Sequence, residues 1–136
     1  MLDAASKPVI LADVGVDRFH LQEELRALLA AAGYPYATMS MGKGLLEETH
    51  FQFIDIYNGA ISENYVRRRI EEADCVLSLG VLLTDFNTGK FSAKLDPSRT
   101  RERRNTAARS LQAHGTLGGC CRSNRRPDSK RSCLTF

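Results

Sequence analysis

Two short aliphatic runs constrain this chain most: Val9-Ile10-Leu11, bounded by Pro8 and Gly15, and "CVLSLGVLL" from Cys75 to Leu83. Runs this short, without regularly alternating polar positions, suit strands covered on both faces of a parallel sheet. The segments between them are amphipathic. "RFHLQEELRALLAAAG" sets Leu21, Leu25, Leu28, Leu29 and Ala32 on one helical face, with Asp17 as the expected N-cap and Gly33 as the C-terminal stop. His20 falls inside that helix beside its apolar face and reads as structural. "YPYATM" then returns to an extended pattern, which completes a β-α-β unit with a right-handed crossover. Residues 42–60 read as an aromatic loop packed over the sheet edge, and Ser62 is the expected N-cap of a second helix, "ENYVRRRIEEAD". The fold class predicted is α/β: a doubly wound, Rossmann-like parallel sheet.

In such sheets ligands lie beyond the carboxyl ends of the strands, so the loops after Ala12, Met39 and Leu79 form the rim where a site belongs. "ADVGVDRF" carries one glycine where a dinucleotide fingerprint has three. Gly42-Lys43-Gly44 invites comparison with a phosphate loop, but Ala37 stands at the first glycine position and Gly44 at the hydroxyl position, so the two glycines read as turn residues. Lys43 is kept as a candidate rim contact. His50 lacks a carboxylate partner in sequence beyond Glu47 and Glu48 and reads as a hydrogen-bonded structural group. Cys75 opens a buried strand and reads as a small hydrophobe.

Asp85, Asn87, Thr88 and Gly89, in "TDFNTGKFS", form the group with most to offer. Asx and Thr side chains close turns by bonding nearby backbone amides. The sharper expectation is a mobile loop at an interdomain rim whose ordering affects closure of the active site in a complete enzyme. No catalytic, cofactor-binding or metal-binding residue is assigned within the chain.

"ATMSMGKG", His50, "FIDIYNGAIS", "ADCVLSLG" and above all "LLTDFNTGKFS" resemble, in order and spacing, the central domain of thiamine-diphosphate-dependent 2-oxo acid decarboxylases, the pyruvate and indolepyruvate decarboxylase group. The resemblance covers about residues 6–97. It departs from the pattern at Phe51, where relatives usually have Pro, and at Asp55, where they usually have Gly. It implies that the complete enzyme binds thiamine diphosphate and Mg²⁺ and releases CO₂ from a 2-oxo acid. The domains that hold that cofactor and metal would lie outside this chain, which would supply scaffold and subunit contacts and be inert alone. Its partners would be the other domains and subunits of the parent enzyme. The rival reading is a stand-alone nucleotide- or effector-binding α/β module, since the rim of such a sheet can accommodate one and some thiamine-enzyme central domains hold FAD or ADP.

Composition divides the chain near Pro97. Residues 1–97 carry 9 Lys and Arg against 14 Asp and Glu, a net −5, whereas residues 98–136 carry 10 against 2, a net +8. The domain expected is therefore 1–97, followed by an Arg-rich tail, 98–136, that reads as irregular and as translation in a shifted frame. With no aliphatic residue larger than Ala between Leu95 and Leu111, the sheet is expected to stop short, leaving an exposed edge and marginal stability. The tail has only Phe136 to stack on bases, so a nucleic-acid partner is not expected. Zinc binding through His114, Cys120, Cys121 and Cys133 is disfavoured, because adjacent cysteines lack the gap structural zinc sites use. No run of about 18 apolar residues and no signal-like N-terminus occurs, so a cytoplasmic protein without membrane contact is expected.

Overall fold

The computed structural model describes residues 5–103. Five parallel strands make one sheet in the order β3-β2-β1-β4-β5: β1 Pro8–Ala12, β2 Tyr36–Met39, β3 Phe53–Tyr57, β4 Cys75–Leu79 and β5 Thr100–Arg103. The central pair runs in register from Pro8 opposite Cys75 to Ala12 opposite Leu79. Side chains alternate across β1 as a strand requires. Ile10 and Ala12 pack with Leu25 and Leu29 of helix α2 (Gln22–Ala32), while Val9 and Leu11 pack with Val66 and Ile70 of helix α3 (Asn64–Glu71). Helices thus cover both faces, which makes the sheet doubly wound.

The first helical segment differs from expectation. It is two helices, α1 (Val14–Arg18) and α2, broken at His20, whose φ of 55° a right-handed helix cannot contain. Asp17 therefore sits inside α1 rather than capping, and its Oδ1 accepts from Gln22 Nε2 at 2.5 Å. Gly33 does end α2, in the left-handed region with its N–H on Leu29 O. Ser62 is not the cap of α3: Glu63 occupies that position, and Ser62 Oγ accepts the Asn58 N–H instead.

Residues 53–57 do lie at the sheet edge, but as a strand paired to β2 (Tyr36 with Phe53, Met39 with Tyr57), not as a loop. The sheet also does not stop at Pro97. β5 pairs along β4's outer edge from Val76 with Thr100 to Leu79 with Arg103. An outermost strand is held by main-chain hydrogen bonds, which polar Thr-Arg-Glu-Arg makes as well as an apolar sequence would. The domain thus reaches at least Arg103, and the remainder of the expected tail, 104–136, lies outside the described residues.

Candidate functional site

The carboxyl ends of β1, β2 and β4 converge, and the group that ties them is Asn87. Fully buried, it donates Nδ2–H to Asp13 Oδ2 at 2.6 Å and to Leu82 O at 2.9 Å, and its Oδ1 accepts the Met41 N–H at 2.9 Å. One side chain thereby bridges the loops that leave all three strands. Asp13 is also fully buried; its Oδ2 accepts a second bond, from Leu82 N–H at 2.9 Å, while Oδ1 has no partner among the described residues. Burial pushes the Asp13 carboxyl above the usual range, against the opposing pull of the Leu82 and Val14 amides, Asn87 and Arg18.

Asp85, Thr88 and Gly89 act more locally. Asp85 Oδ1 accepts the Phe86 N–H, and Thr88 Oγ1 donates to Thr84 O at 2.6 Å and accepts from Phe91 N–H at 3.0 Å. Gly89 has φ 57°, and a Cβ there would stand 2.5 Å from Asn58 O, so the loop presses directly on the segment after β3. These are the turn-closing roles that Asx and Thr predict. Around this fixed base, Leu82, Leu83, Phe86 and Phe91 are exposed, Leu83 by 61% and Phe86 by 68%. Four large apolar side chains displayed on one loop exceed the scatter of single surface hydrophobes.

Lys43 does not join this group: it is exposed, 3.7 Å from Glu48. His50 stacks on Tyr36 and accepts the Gln52 N–H at Nδ1, and Cys75 is buried in the core. Asp13 was not picked out from sequence. Its signal was position, as the first polar residue after a buried strand that ends at the rim.

The crevice between β1 and β4, where strand order reverses, measures about 420 Å³ and is lined by Val14, Gly15, Arg18, Phe19, 80–83 and Glu102. Gly15 N–H already donates to Gly80 O at 3.0 Å, and a Cβ on Gly15 would lie 2.5 Å from that oxygen. The amide that would face a nucleotide phosphate is thus engaged by protein, with the Asp13 carboxylate close behind it in sequence. Among the described residues there is no group of three His, Cys, Asp or Glu able to hold a metal ion, and no helix long and apolar enough to cross a membrane.

The fold and rim define an α/β domain of doubly wound class whose switch-point loops are closed upon each other. Residues 1–108 match the family described as thiamine pyrophosphate enzyme, central domain, and the chain belongs to that family. It is similar to an alpha-keto-acid decarboxylase of Mycobacterium leprae, 43% identical over 105 residues, or 73% of this chain and 18% of that protein. It is likewise similar to a pyruvate decarboxylase of Candida glabrata, 42% identical over 92 residues, covering 68% of this chain and 16% of that one. An alpha-keto-acid decarboxylase of Mycobacterium ulcerans is 45% identical over 91 residues. The chain spans less than a fifth of the length of these curated relatives.

Proposed function

We propose that this chain is the scaffold domain of a thiamine-diphosphate- and Mg²⁺-dependent 2-oxo acid decarboxylase of the pyruvate/indolepyruvate group, working in the cytoplasm and inert when alone. The observation that carries this reading is the Asn87-anchored loop, rigid at its base and apolar at its tip. Such a surface suits contact with a neighbouring domain, because burying exposed apolar area stabilises by about 25 cal/mol per Å². Asp85, Thr88 and Gly89 shape the loop, Asn87 fixes it to the strand ends, and Leu83 and Phe86 meet the partner. Its order then governs how the rim closes on the domain that holds the cofactor. The direct test is CO₂ release from pyruvate, indolepyruvate and branched 2-oxo acids by the isolated chain with thiamine diphosphate and Mg²⁺. Release no faster than in its absence is expected, whereas turnover would contradict the scaffold reading.

A further inference from the structure

A second concavity lies at the opposite, amino-terminal end of the sheet. It measures about 600 Å³, within the 300–1,000 Å³ typical of small-molecule sites, and is flanked by residues 5–9, Tyr34-Pro35 and one face of α3. Tyr65, Arg68, Arg69 and Glu72 stand at spacings of three, one and three, so they share a helical stripe opposite the buried Val66 and Ile70. Lys7 stands on the facing wall. That wall is fixed: Asp74 accepts the N–H groups of Ser6 at 2.6 Å and Lys7 at 2.9 Å.

Charge distinguishes the cleft from ordinary surface. Arg67 is within 4.0 Å of Glu71, but neither Arg68 nor Arg69 has an ion-pair partner among the described residues, in a segment whose net charge is −5 over residues 1–97. Both lie in the last turn of α3, where the helix dipole stabilises cations without a carboxylate partner. Two neighbouring guanidiniums and an ammonium offer more donors than one carboxylate can accept, and match the three terminal oxygens of a phosphate. Pro8, Pro35, Tyr34 and Tyr65 supply flat apolar walls beside them. The Glu72 and Asp74 carboxylates set a limit on total negative charge, which favours one phosphate over several.

We propose that this cleft binds a phosphate monoester carried on a flat apolar group. The test titrates the full 136-residue chain with phenyl phosphate, inorganic phosphate and phenol, followed by amide chemical shifts, in the parent, Arg68→Ala/Arg69→Ala and Lys7→Ala. All three proteins keep the basic residues 104–136, so differences between them report the cleft. Phenyl phosphate should bind more tightly than phosphate, shift amides of 5–9 and 65–72, and weaken about tenfold or more in the double variant, with a smaller loss in Lys7→Ala. A thermal melt matching the parent shows that the exposed substitutions left the fold intact. Equal binding by parent and double variant, no binding, or phenyl phosphate no tighter than phosphate would each overturn the proposal.

Discussion

Asn87 and Asp13, 74 positions apart in the chain and both fully buried, share a 2.6 Å hydrogen bond that joins the connection after β4 to the end of β1. Because Asn87 also serves Leu82 O and Met41 N–H, Asn87→Ala leaves the Met41 N–H without its acceptor and takes one of two bonds from both Asp13 Oδ2 and Leu82 O, each of which keeps a backbone donor. A loss of about 2–4 kcal/mol is expected, since an unpaired buried polar group costs about 1–3 kcal/mol. Asn87→Asp should cost more, by facing a carboxylate with a carboxylate. Urea unfolding of both variants checks the order; an alanine variant as stable as the parent would refute the bridging role.

The Asp13 carboxyl gives a pH signature. Burial, the largest influence, raises its folded pKa above the usual 3.8 of an aspartate, so between that value and its folded pKa the folded state holds more proton than the unfolded one. Stability from this group therefore falls as pH rises through that window. Asp74 and Asp96 act oppositely: at Asp74 desolvation is outweighed by the Lys7 and Ser6 amides together, at Asp96 the Ser98 hydrogen bonds dominate, both carboxyls are held below the usual range, and the stability they contribute is lost as pH falls. Asp13→Asn isolates the first effect. Subtracting its unfolding free energies from those of the parent, from pH 4 to 7, should leave a difference that moves against the parent as pH rises, and a flat difference would be contrary.

Gly15 and Gly80 meet backbone to backbone, and a Cβ on Gly80 would lie 2.7 Å from Val16 N at a φ of 63°. Gly80→Ala should therefore lower thermal stability markedly, by about 3 kcal/mol or more. Gly44 has φ 78° but nothing within 4 Å of its Cβ position, so Gly44→Ala bears conformational strain alone, about 1 kcal/mol. Similar melts for the two would show that the β1–β4 approach is looser than described.

Ending the chain after Pro97 removes β5 and leaves Val76 to Leu79 as an edge. A 1–97 chain should unfold at lower urea than a 1–103 chain, and amides of Val76–Leu79 should exchange faster in it. Identical midpoints would restore the boundary at Pro97.

Sequence periodicity carried the central part of the fold because its signals are local. Val9-Ile10-Leu11, the α2 stripe and Gly33 each declare themselves within a few residues. β3 was hidden because an edge strand is only half covered, so Asp55 can sit mid-strand, and "FIDIY" lacks the continuous apolar run of its buried neighbours. β5 was hidden further, since "TRER" is specified by the free edge of β4 rather than by its own side chains. At the rim, Asn87 was legible as a turn former, but its reach to Asp13 and Met41 was not, because those contacts join loops 46 and 74 residues away.

The scaffold reading is tested most directly by exchanging the central domain of a full-length pyruvate decarboxylase for residues 5–103 of this chain and measuring pyruvate decarboxylation. The exchanged enzyme should retain activity and lose most of it when Leu83 and Phe86 are both changed to Asp, with the domain's own melt unaltered. Activity indifferent to those two aspartates, or a folded, cofactor-loaded exchange that is inactive from the start, would contradict the account.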